Sequence, residues 1–329
     1  MPEAQPMIES AAAFRGRDLL TLANVTPRAV LELFATAAAS KADITPYRRV
    51  LDGKSFALLF EKPSLRTKMS FEVGIAKLGG HPIFMDHAAA RLGARESVRD
   101  YAKNLERWVD GIVARVYLQT ALEELADSAR CPVINALSDR YHPCQALADL
   151  FTLFEQAGHD HARLREMRLA YVGDGNNVCH SLMHAATLLG VHTTVITPKG
   201  FAPASDVTRE CEAFAKAAGS TLLVTTDPAA IERHHAVYTD VWVSMGQPGG
   251  VDEVTRRRKI FSKYQVSADL MTRASSGLST PSLFMHCLPA QRGLEVTDDV
   301  IDSPHSIVYD QAENRMHAQN ALLIHTFAR

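Results

Sequence analysis

Short apolar runs alternate with amphipathic stretches almost from one end of the chain to the other. Runs at 55–60, 83–86, 111–115, 133–136, 168–172, 193–197, 221–224, 237–239, 284–286 and 307–309 predict strands. Between them apolar residues recur at helical spacing, as over 98–108, 181–189 and 207–218, and a longer helix is expected over 145–155. Strands that alternate with helices predict parallel sheets covered on both faces. The expected fold class is α/β, with two doubly wound parallel-sheet domains joined by helices. A chain of 329 residues is long for a single core. The polar stretch Gln-Ala-Gly-His-Asp-His-Ala-Arg at 156–163 marks the boundary. The reading is a first domain over 1–155 and a second over 156–311, with a last helix over about 312–329 packing back on the first.

In open α/β sheets ligands bind beyond the carboxyl ends of the strands. The polar clusters of this chain fall at such places. Ser64, Leu65, Arg66 and Thr67 follow the first strand and open a helix that runs to about Leu78. A helix start presents unpaired N–H groups and the positive end of its dipole. Two hydroxyls and a guanidinium there suit a phosphate dianion, although an ordinary Ser/Thr cap beside a surface arginine has the same composition. The segment lacks the Gly-x-x-x-x-Gly-Lys-Ser/Thr spacing of a nucleotide P-loop. Arg115 ends another strand. His142-Pro143-Cys144-Gln145 follows 133–136, Asp174-Gly175-Asn176-Asn177 follows 168–172, Asp240 follows 237–239, and Cys287 follows 284–286. Taken singly, each has a bland reading: a packed histidine at 142, a strand-end cap at 240, a buried thiol at 287, a surface arginine at 315. Half-sites on two domains predict an active site in an interdomain cleft that closes on two substrates.

Composition narrows the classes. Apolar residues are 47% and charged residues 22%, with a net charge of −2, so no global field favours nucleic acid or membrane. The 5 cysteines are scattered and lack Cys-x-x-Cys pairing, which argues against a disulfide framework and a zinc cage and favours a reducing, cytoplasmic compartment. No run approaches the length of a transmembrane helix, and the N-terminal segment, with Glu3 and Glu9, is a poor secretory or transit signal. Gly173-Asp174-Gly175 is half a dinucleotide fingerprint, but Val178 stands where the third glycine would be and Thr197-Pro198-Lys199 offers no acidic ribose ligand. Neither a metal nor an organic cofactor is expected.

In their order along the chain, 60–72, Ala114-Arg115-Val116-Tyr117, 135–139, His142-Pro143-Cys144-Gln145, 173–177, 240–247, His286-Cys287-Leu288-Pro289 and Glu313-Asn314-Arg315 resemble the aspartate/ornithine carbamoyltransferase family, in its ornithine-using branch. The resemblance implies transfer of the carbamoyl group of carbamoyl phosphate to the δ-amine of L-ornithine, giving L-citrulline and phosphate by direct amine attack. It also implies a homotrimer with shared active sites, or a higher oligomer built from trimers. By the same resemblance Ser64, Leu65, Arg66, Thr67, Arg91, Arg115, His142, Gln145, Cys287, Leu288 and Arg315 bind carbamoyl phosphate. Asn177, Asp240, Ser244 and Met245 bind ornithine, and Arg115, His142, Asp240, Cys287 and Arg315 are the catalytic set. Leu65 stands where many relatives have threonine, Arg91 where bacterial relatives often offer a glutamine from the neighbouring subunit, and Pro248-Gly249-Gly250 departs after Gln247. Asp240 and Met245 argue against an aspartate enzyme. Putrescine or an N-acylated ornithine as the amine, a non-catalytic amino-acid-binding paralogue and, most weakly, an NAD-binding protein are the alternatives.

Overall fold

The computed structural model describes residues 7–87, 91–243 and 251–328. The chain divides into two compact units, 1–151 with 313–329, and 152–312. Both divisions fall inside helices.

The first unit carries a four-stranded parallel sheet of β1 (Ser55–Phe60), β2 (His81–Asp86), β3 (Gly111–Arg115) and β4 (Val133–Leu137), in the order β2-β1-β3-β4. Its helices are α1 (Pro27–Ala42), α2 (Leu65–Lys77), α3 (Val98–Leu105), α4 (Gln119–Ser128) and α5 (Pro143–Gln156). β1 is buried from Phe56 to Phe60, so a run of apolar residues without alternation is what a sheet covered on both faces demands. One face packs Ala57, Leu59, Ile112 and Ala114 against Val98, Ala102, Leu122 and Leu125 of α3 and α4. On the other face the Phe56 ring meets Phe327 edge-on, with centroids 4.9 Å apart, which ties the end of the chain to β1.

The second unit carries β5 (Arg168–Val172), β6 (His192–Ile196), β7 (Leu222–Thr225), β8 (Ala236–Thr239) and β9 (Leu283–His286), all parallel, in the order β7-β6-β5-β8-β9. Its helices are α6 (His161–Glu166), α7 (Asn177–Leu188), α8 (Ser205–Ala218), α9 (Val251–Phe261), α10 (Ala268–Ala274) and α11 (Asp298–Ile301); α12 (Val308–Phe327) ends the chain. Every residue of α7 is buried, including His180 and His184.

Two doubly wound parallel sheets are what the alternating pattern predicts. One element differs. The apolar run at 307–309 is no strand: Ile307 N donates to Phe284 O at 3.0 Å, Ser306 makes a single parallel bridge to Phe284, and α12 begins at Val308. The run is apolar because it packs beside β9, and one bridge is all that fits before the helix turns away.

In each sheet the chain winds outward from one strand and then returns to that strand's other side. The reversal lies between β1 and β3 in the first unit and between β5 and β8 in the second. At such a switch point the loops leave in opposite directions and open a crevice at the carboxyl ends.

Candidate functional site

The loop after β1 and the end of β3 meet at the first switch point, where Phe60 pairs with Arg115. Ser64 is the N-cap of α2, its hydroxyl accepting the Thr67 N–H at 3.2 Å. Leu65 is 72% exposed, so this position contributes its backbone N–H at the first helical turn rather than its side chain. Arg115 is 5% exposed and sits at a register irregularity between β3 and β4, a bulge that re-aims its side chain.

Glu61 and Lys62, just before the cap, are buried. Glu61 accepts the Leu92 N–H through Oε1 and the Tyr117 N–H through Oε2, each at 2.6 Å, and its own N–H donates to Arg115 O at 2.9 Å. One carboxylate therefore binds the loop of Arg91, the end of β3 and the phosphate-type helix start. Lys62 Nζ lies 4.6 Å from the centre of the Tyr117 ring, and the Arg91 guanidinium lies 4.1 Å from it. Burial, and then the neighbouring Arg115, lower the Lys62 pKa to about 8. Neither Glu61 nor Lys62 is among the site residues expected from sequence. Their signal is there all the same: two charges directly after a fully buried strand must be either solvated or employed.

From α5 and α12 come His142, Gln145 and Arg315, all buried. Arg315 Nη1 donates to Gln145 Oε1, and Nη2 donates to Thr67 Oγ1 at 3.2 Å. Gln145 Nε2 donates to Asp149 Oδ1 at 2.7 Å. Gln145 thus aims Arg315, and the Thr67 hydroxyl, already accepting, keeps its own proton to give. Burial, then Arg315, Arg115 and Lys62, hold the His142 pKa well below the usual histidine value. The imidazole is neutral at physiological pH and can donate one N–H without adding charge. The first unit therefore gathers Ser64, Arg66, Thr67, Arg115, His142 and Arg315 around a cationic, hydroxyl-lined helix start. Such a constellation can hold a phosphate dianion and stabilise negative charge developing beside it.

At the second switch point the loop after β5 faces the end of β8. Gly173 has φ +147, and a Cβ on Gly175 would lie 2.3 Å from Pro203 N. Gly175 is required because the protein's own backbone occupies that space, so the half fingerprint reflects packing and not a pyrophosphate site. Asn176 caps α7, and its Nδ2 donates to Asp240 Oδ2 at 2.8 Å. Cys287 Sγ donates to Asp240 Oδ1 at 3.0 Å. Asn177 Oδ1 accepts the Val178 N–H at 3.0 Å. Leu288, with φ +56 and a cis bond to Pro289, donates its N–H to His286 Nδ1 at 2.8 Å. His286 Nε2 in turn faces Glu295 Oε1 at 3.3 Å, both side chains fully buried. This unit therefore gathers Asn177, Asp240, Cys287 and Leu288, four of the residues expected from sequence. Ser244, Met245 and 248–250 lie outside the described residues.

Among the described residues, Asp240, His286 and Cys287 have potential ligand atoms within 4.8 Å of one another. Each is already employed: His286 Nδ1 takes the Leu288 N–H, and both Asp240 oxygens accept hydrogen bonds. The arrangement suits a carboxylate that receives an amine better than a metal cage.

Known proteins resemble this chain over both units. Residues 17–155 match the model of the aspartate/ornithine carbamoyltransferase carbamoyl-P binding domain, and residues 165–326 match that of the Asp/Orn binding domain. The ornithine carbamoyltransferase of Shewanella oneidensis is 48% identical over 312 residues, covering 95% of this chain and 100% of that protein. An anabolic ornithine carbamoyltransferase of Pyrococcus furiosus is 47% identical over 311 residues, covering 94% of this chain and 95% of that protein. A solved ornithine carbamoyltransferase structure from Pyrococcus furiosus matches with a TM-score of 0.88 at 46% identity, covering 95% of this chain and 98% of that one. The enzyme of that name from Giardia lamblia matches with a TM-score of 0.83 at 34% identity, covering 94% and 97%. With two domain models matched in sequence order and near full-length relatives at this identity, the chain belongs to the aspartate/ornithine carbamoyltransferase family.

Proposed function

We propose that the chain is an enzyme that carbamoylates the δ-amine of L-ornithine with carbamoyl phosphate, giving L-citrulline and phosphate. The single observation that carries this reading is the pairing of unlike half-sites in one chain: a cationic helix start on one unit, and a carboxylate aimed by a thiol and an amide on the other. The first unit takes carbamoyl phosphate and the second takes ornithine. Ser64, Arg66 and Thr67 hold the phosphate, with the Leu65 N–H and Arg91 assisting, while Arg115, neutral His142 and Gln145-aimed Arg315 face the carbonyl oxygen. Asn177, Asp240, Ser244 and Met245 hold the amino acid, and Asp240 with Cys287 aims its amine. The Leu288 carbonyl receives the carbamoyl nitrogen. A C–N bond forms as the neutral amine attacks the carbonyl carbon, the bond to the phosphate oxygen breaks, and the proton lost by the amine goes to the departing phosphate, which leaves as the monohydrogen dianion.

The homologous names support ornithine over aspartate, and so does the carboxylate at 240, which attracts an amine and would repel a second carboxylate. A homotrimer that shares its active sites is the assembly we infer from family membership. Among the described residues no helix is long and apolar enough to cross a membrane, and none of the five thiols is in a disulfide. A cytoplasmic setting fits those thiols. The deciding assay measures carbamoylation of ornithine, putrescine, aspartate and N-acetylornithine side by side; a preference for any of the last three would displace ornithine. Mass spectrometry of enzyme quenched during turnover checks the direct route, and a carbamoyl adduct on Cys287 that forms and decays at the turnover rate would overturn it.

A further inference from the structure

We propose that Asn176 is a positioning residue that converts the start of α7 into the direction of the Asp240 carboxylate. The proposal rests on the reading of Asp240 as the group that aims the attacking amine.

Asn176 does two things with one side chain. Its Oδ1 accepts the Val178 N–H at 3.0 Å and the Cys179 N–H at 3.1 Å, and its Nδ2 donates to Asp240 Oδ2 at 2.8 Å. The cap settles which end of the amide is oxygen, because two backbone donors face it, so the nitrogen must point at the carboxylate. Around it the loop is pinned. Asn176 N–H donates to Asp174 O at 2.7 Å, Gly175 N–H to Phe201 O at 2.8 Å, and the Tyr171 hydroxyl to Asp174 O at 2.8 Å. Asn176, Tyr171 and Asp240 are all buried. The amide nitrogen is therefore fixed to the frame of β5 and α7.

The consequence is geometric. A carboxylate at a strand end rotates freely about its last bond unless both oxygens are claimed. Here Asn176 claims Oδ2 and the Cys287 thiol claims Oδ1 at 3.0 Å. The plane of the carboxylate is set by donors from two different elements, one after β5 and one after β9. The remaining lone pair on each oxygen is thereby held in a fixed direction, and an amine arriving there finds its acceptor already oriented. Asp, Ser and Thr cap helices as well as Asn does or nearly so, but none combines a cap acceptor with a donor of this reach. The requirement for asparagine comes from Asp240 and not from the helix.

Two substitutions separate the roles. Asn176→Ser keeps a cap and removes the reach to Asp240. Asn176→Asp keeps the cap and sets a second carboxylate against the first. Saturation curves for both substrates, with thermal unfolding, are measured on wild type and both variants. The expected result is a Ser variant that unfolds within a few degrees of wild type and saturates normally with carbamoyl phosphate. Its kcat/KM for ornithine falls about 10- to 100-fold, as for a lost hydrogen bond to a charged group. The Asp variant falls further than Ser. If ornithine kcat/KM in a folded Ser variant stays within twofold of wild type, or both substrates lose equally, Asn176 is a helix cap only and the proposal fails. An Asp variant more active with ornithine than the Ser variant also overturns it. Failure of the proposed function is distinct: wild type would then form no citrulline from ornithine, and the same ratios would be read with whichever amine it does carbamoylate.

Discussion

Lys62 should couple carbamoyl phosphate binding to proton uptake. Its ammonium is buried among Arg115, Tyr117 and Arg91 and its pKa falls to about 8, burial being the larger cause and Arg115 the next. Against the ordinary 10.5, that shift corresponds to a penalty on the charged form of at most about 3 kcal/mol, lowered by solvent screening. A dianion bound at the Ser64–Thr67 helix start opposes both causes by favouring the ammonium, and so raises the Lys62 pKa. At pH 7 the lysine is about 90% charged before binding, so uptake is small, about 0.1 proton. At pH 8.5 it is only about one-quarter charged before binding, so the room for uptake is far larger, up to about 0.75 proton. Carbamoyl phosphate does not contribute, since the second ionisation of a phosphoryl group is complete well below that pH, near about 6. Calorimetric titration in two buffers of different ionisation heat measures the uptake directly.

The same shift has a stability consequence of definite sign. The unfolded chain binds the Lys62 proton more tightly than the folded one, so the folded state carries the penalty fully below pH 8. It sheds the penalty as pH rises through 8 toward 10.5. Lys62→Met, similar in volume, should remove both effects: its proton uptake at pH 8.5 falls to near zero, and its stability relative to wild type is highest at pH 7 and declines above pH 8. Wild-type binding without uptake between pH 8 and 9, or uptake unchanged in Lys62→Met, would refute the coupling of Lys62 to the phosphate-binding helix start.

Three further outcomes are expected. Arg66→Ala should raise the KM for carbamoyl phosphate by at least about tenfold, the equivalent of one charge-assisted hydrogen bond of about 1.5–3 kcal/mol, with an unchanged unfolding transition; near-normal saturation would remove Arg66 from the phosphate site. Asp240→Asn should damage the use of ornithine and spare carbamoyl phosphate binding. In wild type the rate at subsaturating ornithine should rise with pH through the neutral range, because the free amine titrates near about 10.4; a flat profile or an unchanged ornithine curve in the mutant would contradict the role. Glu61→Gln puts an amide donor against one of the two N–H groups that the carboxylate accepts, Leu92 or Tyr117. Urea unfolding should show a loss of about 1–3 kcal/mol, and no loss would mean that this buried carboxylate does not hold the loops together.

The site is legible in the sequence only in fragments, because local sequence records burial and capping but not which strands lie side by side. Apolar periodicity records burial, and burial located β1, β3 and β5 to the residue, since the unbroken apolar run of a strand covered on both faces stops at a polar residue, Ser55, Arg115 or Arg168. It could not distinguish a strand from one bridge followed by a helix at 307–309, because both bury the same side chains. Strand order is a property of long-range pairing and leaves no local trace. The sequence places Ser64 and Arg115 after two strands; only the order β2-β1-β3-β4 makes those strands neighbours at the point of reversal, and only β7-β6-β5-β8-β9 does so for Asn176 and Asp240. The residues missed share a second feature. Glu61, Lys62 and Asn176 act through groups distant in the sequence, as in Glu61 to Leu92 and Tyr117 at separations of 31 and 56 and Asn176 to Asp240 at 64. Read locally, Asn176 is a helix cap, and that reading is correct for one end of its amide. The other end has meaning only once β8 lies beside β5. A short polar side chain at a switch point is for this reason the place where a local rule and a functional role coincide, and Asn176 is where substitution can pull the two apart.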